Sequence, residues 1–426
     1  MKRDFKSQEA FHVVTLHCSV CGAPYTGNTQ KYICPHCGAS IEPDLDLATQ
    51  RDAFRYLIRT GGEGRGVWKY RAMFPGLDSV EPVTLGEGDT PLQRAFALES
   101  AYGISRFYLK NETINPTGTY KDRFATLALS LFRAKQATAV ALGSAGNAGS
   151  AVAAYSAKAG IPCYVVLPEG GVFARAQQAM SYGARFIRTK GEVNDCIELI
   201  ELGVDRYHWH NGCTTMMHNP LASEGYKTIV YEMFCQMNGT LPDVILCPIG
   251  GGILISKIYR ACCELKALGL MDRIPRLVGV QATGCPPVVW ALEHGEAETP
   301  VWQNPKTIAG SINDPVTFEG RTALHVIRAT EGTAVAVTDE EILCAMRLTA
   351  KKEAVLAEPA SAAAIAAVKK LLDTGWLQKE ACVVSIVTGS ALRDLPLFSD
   401  GNGADVPSVH PGCLEELDAA VGRFEK

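Results

Sequence analysis

Asn115-Pro116-Thr117-Gly118-Thr119-Tyr120-Lys121-Asp122-Arg123 lies between a β-patterned run, Phe107 to Leu109, and a helix-compatible stretch, Phe124 to Ala134. A Pro-Gly turn at a strand-to-helix junction places the next side chains at the strand's carboxyl end, where Lys121 can face a cleft rather than solvent. Working outward, the same grammar repeats. Short apolar or β-branched runs recur at Ala139–Leu142, Cys163–Leu167, Arg185–Arg188, Val244–Cys247, Leu277–Gln281, Ala334–Val337 and Val383–Val387. Helix-length segments fit between them, at Ala148–Ala159, Ala174–Tyr182, Ile253–Leu265, Asp339–Glu353 and Ser361–Leu372. Strand then helix, repeated this often, predicts an α/β fold of open, mostly parallel sheets.

In such sheets ligands collect beyond the carboxyl ends of strands, where helix amino termini present unpaired amides. Three further turns occupy such places. Gly143-Ser144-Ala145-Gly146-Asn147-Ala148-Gly149-Ser150 follows the strand ending at Leu142, and its small residues and helix-start amides suit a carboxylate. Pro248-Ile249-Gly250-Gly251-Gly252-Ile253 spends three glycines between a buried strand and a helix, an entropic cost better explained by a close anion than by packing. No Gly-Lys-Ser or Gly-Lys-Thr follows, so a single phosphate fits better than a nucleotide. Val387-Thr388-Gly389-Ser390-Ala391-Leu392-Arg393-Asp394 offers a hydroxyl at Thr388 able to hydrogen-bond a heteroaromatic nitrogen. A lysine, a carboxylate nest, a phosphate loop and a hydroxyl together describe an amino acid joined to a phosphorylated aldehyde cofactor, with the lysine as its Schiff-base partner.

The 426 residues, 47% apolar and 20% charged with net charge -4, describe a soluble globular balance and give no electrostatic case for nucleic acid or an anionic membrane. Met1 to Ala10 has no apolar core of a leader, and no run approaches a membrane span, so a cytoplasmic protein is expected. Of fifteen cysteines most stand singly in apolar segments, such as Cys163, Cys196, Cys344 and Cys382, and read as small core residues in a reducing compartment. Cys18-x-x-Cys21 and Cys34-x-x-Cys37 are different: two pairs, each followed by glycine, have the spacing of a closed structural zinc site. His17 and His36 beside them read as surface or supporting residues. Residues 1–43 are therefore expected to be a zinc ribbon, with Ile41 to Asp46 a linker and Leu47 to Ile58 an amphipathic helix. Gly61-Gly62-Glu63-Gly64-Arg65-Gly66 lacks the flanking strand of a dinucleotide fingerprint and reads as a flexible connection.

Pro116-Thr117-Gly118-Thr119-Tyr120-Lys121-Asp122-Arg123, Ser144-Ala145-Gly146-Asn147, Glu358-Pro359-Ala360-Ser361-Ala362 and Thr388-Gly389, with Leu392 and Asp394, occur in that order. The sequence thereby resembles the fold-type II pyridoxal phosphate (PLP) enzymes, most closely the threonine synthases, from about Gly86 to Leu395. The resemblance implies two mostly parallel-sheet units of the tryptophan synthase β-like kind within 44–426, the smaller spanning about 121–210, and a homodimer. It implies Lys121 as Schiff-base lysine and proton shuttle, and Asn147 on the cofactor's 3-oxygen. Gly250, Gly251, Gly252 and Ile253 would hold the phosphate, and Thr388 would face the pyridine nitrogen. Thr117, Ser144, Ala145, Gly146 and Ala148 would receive the amino-acid substrate.

Two positions depart from the pattern. Where threonine synthases hold the phosphate of O-phosphohomoserine with an Asn-Ser pair and an arginine, this sequence has Met216-Met217 and Ala222. Losing a bidentate anchor is costly to such a substrate, and the triple-glycine loop resembles serine and threonine dehydratases more. The expected activity is elimination or replacement, threonine synthase-like. The alternatives are an ammonia-lyase of threonine/serine dehydratase or diaminopropionate type, a β-replacement synthase of cysteate synthase type, or a non-catalytic zinc-ribbon regulator on the same fold.

Overall fold

The computed structural model describes residues 14–25, 31–144, 146–168, 176–190, 193–398 and 407–421. Met1–Ala10, Ala145 and Ala174 lie outside them, as does the beginning of the tail after Ser399. Thirteen strands are described: β1 (Leu16–Cys18), β2 (Pro24–Tyr25), β3 (Ile41–Pro43), β4 (Leu92–Arg94), β5 (Arg106–Asn111), β6 (Val140–Leu142), β7 (Cys163–Pro168), β8 (Arg185–Thr189), β9 (His210–Asn211), β10 (Val244–Pro248), β11 (Arg276–Ala282), β12 (Thr333–Val337) and β13 (Cys382–Val387). They form three sheets, ordered β2-β1-β3, β12-β11-β10-β13-β5-β4 and β8-β7-β6-β9. The large sheet is parallel except for its edge strand β4, and the four-stranded sheet is wholly parallel.

Burial explains the strand sequences. β10 and β13 are buried at every position, because helices cover both faces of the large sheet, and they read as continuous apolar runs. The helix Pro359–Asp373 packs against four of these strands with an alanine-rich face. Its proline stands in the first turn, where the missing N–H costs nothing.

Two buried ion clusters fasten the helices. Arg123 bridges Glu112 and Glu232, and Lys110 Nζ reaches Glu232 at 2.7 Å. Lys227, Lys257 and Arg260 meet Glu224, Glu264 and Glu42. Each cluster balances its charges, as burial in low dielectric demands. Glu42 belongs to β3, so the small sheet is tied to the helix Ile253–Ala267 through a buried lysine.

Three expectations need correction. Ile41–Pro43 is not a linker but a strand, paired with β1 from Cys18↔Ile41 to Leu16↔Pro43; its partner lies too far along the chain for local pattern to show. The segment Gly61 to Gly66 ends in order: Gly66 is buried, donates its amide to Asp89 Oδ2 at 2.6 Å, and opens a 3-10 helix, Gly66–Met73. Cys344 is exposed on the helix Asp339–Glu353, whereas Cys163, Cys196 and Cys382 are buried. No helix among the described residues is long and apolar enough to cross a membrane.

Candidate active site

The carboxyl ends of β5, β6, β9, β10 and β13 converge on a cavity of about 420 Å³, within the size range of small-molecule sites. Lys121, Ser144, Gly146, Asn147, Ala148, Gly250, Gly251, Gly252, Ile253 and Thr388 all line it. Thr117 does not. Its amide donates to Asp122 Oδ2 at 2.7 Å and its hydroxyl pairs with Asp122 Oδ1, so its side chain braces the turn from below the cavity.

That brace explains how Lys121 is aimed. Thr117 and Asp122 close the turn on one side of the lysine, while Arg123 on the other is locked into the Glu112–Glu232 cluster. The Lys121 ammonium then lies near the Tyr120 and Tyr226 rings, 4.8 and 5.4 Å from their centroids, and donates to Thr214 Oγ1 at 3.1 Å. Burial lowers its pKa to about 8, against the opposing pull of Asp314, Glu319 and Glu358. A lysine so placed has a far larger neutral fraction near neutral pH than an ordinary lysine, and the neutral amine is the form required of a nucleophile or base.

The glycine loop is shaped for close approach. Gly252 has φ +93°, and a Cβ on Gly250 would meet Asp314 Oδ2 at 2.5 Å. The helix Ile253–Ala267 starts immediately after, so its free amides face the cavity. Opposite, the helix Asn147–Ala159 starts at the second nest, where a Cβ on Gly149 would lie 2.0 Å from the Ser144 carbonyl oxygen.

Asn147 is held on both sides. Its Nδ2 donates to both Glu358 oxygens, at 3.0 and 2.8 Å, and its Oδ1 accepts from Arg393. Arg393 also donates to Gln178 at 2.7 Å and to the Thr117 carbonyl at 3.0 Å. The sequence motif containing Glu358 thus acquires a physical role, which is to fix the amide of Asn147. Thr388 pairs its hydroxyl with Ser361 at 2.9 Å.

Sequence patterns missed Thr214, Asp314 and Glu319, which also line the cavity. Burial pushes Asp314 up to about 6 and Glu319 up to about 7. Both lie between helices on a loop that no motif marks; Asp-Pro at 314–315 is the sole local signal, and it reads as an ordinary turn. Met216 and Ala222 are buried in the apolar core, and neither they nor Met217 line the cavity. Their stretch contributes instead through Cys213, Thr214, Thr215 and His218.

Away from the cavity, the sulfur atoms of Cys18, Cys21, Cys34 and Cys37 lie within 4.8 Å of one another, Cys18 to Cys37 at 3.4 Å and Cys21 to Cys34 at 3.7 Å. A tetrahedral site with metal–sulfur bonds of about 2.3 Å has edges of about 3.8 Å, so the donor set fits. His17 pairs with Asp44 at 2.6 Å and Glu42 at 3.3 Å rather than turning to the sulfurs, and His36 is exposed.

Residues 83–389 match the family model described as pyridoxal-phosphate dependent enzyme. Threonine synthase of Methanocaldococcus jannaschii is 37% identical over 379 residues, covering 88% of this chain and 92% of that protein. Threonine synthase of Methanosarcina acetivorans is 36% identical, covering 95% and 98%. Among solved structures, diaminopropionate ammonia lyase from Escherichia coli superposes with a TM-score of 0.64 at 16% identity, covering 75% of this chain and 90% of that one. A fungal L-serine ammonia-lyase from Rhizomucor miehei gives 0.60 at 22%, covering 73% and 95%. At these identities the two structures speak to the fold.

Proposed function

Because this chain belongs to the family of pyridoxal-phosphate dependent enzymes, we propose that Lys121 is the residue to which it binds the cofactor, and that it eliminates or replaces a group on a small free amino acid. It is a threonine synthase-like lyase. The observation that carries the reading is the half-buried Lys121 amine, held by Thr214 Oγ1 at 3.1 Å, in a cavity that Gly250 to Ile253 and Ser144, Gly146, Asn147 and Ala148 also line. The site fits the cofactor: a three-glycine backbone nest at a helix start for its phosphate, a hydroxyl at Thr388 for its ring nitrogen, and the fixed amide of Asn147 for its ring oxygen.

The helix start at Asn147 receives the substrate carboxylate through the amides of Ser144, Gly146 and Ala148. Lys121, its amine freed by the incoming amino acid and already low in pKa, takes the Cα proton. The cofactor supplies the electron sink for the pair left at Cα. Arg393 and Glu358 keep Asn147 from rotating while charge shifts across the site.

Two outcomes follow from that step. In the threonine-forming reaction phosphate leaves Cγ of O-phosphohomoserine and water adds at Cβ, as the name of the relatives favours. In an ammonia-lyase the Cβ substituent leaves, and a 2-oxo acid and ammonia are released. With no arginine among the described residues of the cavity wall to anchor a phosphate ester, the site favours the second. Incubation with each amino acid, following phosphate, threonine, ammonia and 2-oxo acid separately, decides between them. Lys121→Ala should abolish both the reaction and the cofactor's visible absorbance; retained turnover would refute the role of the lysine.

We also propose that the four cysteines hold a structural zinc ion and that the enzyme is a homodimer. Metal content per chain and sedimentation mass test these.

A further inference from the structure

The cysteine ribbon has no part in the reaction outlined so far, yet it is bonded to the cavity wall. Between β9 and the helix Pro220–Ser223 runs a segment, 212–219, whose Cys213, Thr214, Thr215 and His218 line the cavity. It belongs to no helix or strand, so its conformation depends on individual hydrogen bonds. Thr214 Oγ1 accepts from Lys121 Nζ at 3.1 Å, and the Met216 amide donates to Glu319 Oε1 at 2.8 Å. One residue on, the Met217 carbonyl accepts the amide of Tyr32, a ribbon residue, at 2.7 Å. The Tyr32 carbonyl in turn accepts the Ile41 amide of β3 at 3.1 Å, which joins the segment to the ribbon's own sheet. Two side chains brace the ribbon on either side. Lys31 pairs with Glu201 of the helix Val193–Tyr207 at 2.7 Å, and Ser19 Oγ meets Thr322 Oγ1 of the helix Gly320–Ala329 at 2.9 Å. The first helix packs on the four-stranded sheet and the second on the large one.

We propose that the ribbon is a positioning element of the active site: the Tyr32 amide fixes segment 212–219, and through it Thr214 fixes the Lys121 amine. This rests on the role proposed above for Lys121. Between Met217 and Thr214 the segment is closed on itself. Thr215 Oγ1 pairs with His218 Nδ1 at 2.8 Å, and the Thr215 carbonyl accepts the Asn219 amide at 3.0 Å, so a displacement at Met217 is carried to Thr214. A base acts only within hydrogen-bond reach of its proton, and a small misplacement of the amine costs rate. Loss of a ribbon that served folding alone would lower stability; loss of this one also releases the reacting amine.

The test is a double-mutant cycle on the holoenzyme at saturating PLP, using whichever of L-serine, L-threonine, L-2,3-diaminopropionate and O-phospho-L-homoserine the wild type turns over. Tyr32→Pro removes the amide donor and should lower kcat/KM about 3- to 10-fold. Tyr32→Phe, which keeps that donor, should restore the rate. Thr214→Val should cost a similar factor, and adding Tyr32→Pro to it should cost less than about 2-fold more, because the ribbon acts through a bond already removed. Losses that multiply, an unchanged kcat/KM in Tyr32→Pro or Thr214→Val, or an equal loss in Tyr32→Phe overturns the inference and leaves the function standing. No turnover of any of the four amino acids overturns the function, and this inference with it. If Tyr32→Pro fails to fold, amide exchange in the wild type decides. By reciprocity, adding PLP to the cofactor-free protein should slow exchange of the Tyr32 amide at least about 3-fold. The amides of Cys18 and Gly22, which bond to Ala23 and Cys18 within the ribbon, should not change. An unchanged Tyr32 amide, or equal slowing of all three, overturns the inference.

Discussion

The side-chain amide of Asn147 donates to both carboxylate oxygens of Glu358, residues 211 positions apart in the chain. With Arg393 on its other end the amide has one orientation, so Glu358 fixes a group on the cavity wall proposed for the cofactor. Glu358→Ala should weaken cofactor binding about 10- to 100-fold, the worth of a hydrogen bond to a charged group. Titration of the cofactor-free protein with PLP measures this. Equal affinity in variant and wild type would remove the assigned role.

Arg123 is fully buried between Glu112 and Glu232. Arg123→Leu leaves two carboxylates with one lysine, and should destabilise the protein by about 3–5 kcal/mol. Denaturant unfolding measures it; a loss under about 1 kcal/mol would mean that the cluster relaxes or takes in water.

Stability should depend on pH through the cavity acids. Burial raises Glu319 from 4.5 to about 7 and Asp314 from 3.8 to about 6. A raised carboxyl pKa means that the folded state binds the proton more tightly. The stabilisation is fully present below about pH 4 and is lost as pH rises through about 6 to 7. Thermal midpoints of the cofactor-free protein should therefore fall from about pH 5 to about pH 8, and Glu319→Gln should flatten that fall. An equal slope in the variant would show that Glu319 does not titrate there.

Gly252 combines φ +93° with a Cβ position 3.1 Å from the Glu319 carbonyl oxygen. Gly252→Ala should cost about 1–3 kcal/mol in stability from the backbone conformation, and should weaken PLP binding further by disturbing the phosphate nest. Thermal unfolding and PLP titration separate the two losses. Unchanged PLP affinity would exclude this loop as the phosphate site.

Chelation should act at a distance. Removal of the proposed zinc ion should free the small sheet, so that Glu42 of β3 is no longer held against Lys257, a lysine with 0% exposure. A dialysed, chelator-treated protein should unfold several degrees lower, and zinc should restore the midpoint. Indifference to both would mean that the cysteines hold no structural metal.

Much of the cavity was legible in the sequence because its glycines, Lys121, Asn147 and Thr388 lie at strand-to-helix turns, where small residues break the apolar pattern in a way local chemistry explains. Asp314 and Glu319 were not legible. Their importance comes from burial opposite Lys121, and burial of a loop carboxylate leaves no periodic trace. β3 was missed for a related reason: three residues become a strand only through pairing with β1 on the far side of the cysteine cluster. Thr117 shows the converse. Its motif marks it as important, but the side chain turns to Asp122 and serves the aim of Lys121 from outside the cavity.

The place of β13 has a consequence for synthesis. It lies between β5 and β10 in the large sheet, pairing with both, although it is the last strand among the described residues. Until Cys382–Val387 leave the ribosome, β5 and β10 present open edges to each other with no strand between them, and Thr388 has not joined Lys121. Long-range closure of this kind is slow and leaves unpaired apolar edges exposed while it waits. A chain ending before Cys382 should therefore aggregate rather than form a smaller enzyme, and the nascent protein should acquire its cofactor only after translation is nearly complete.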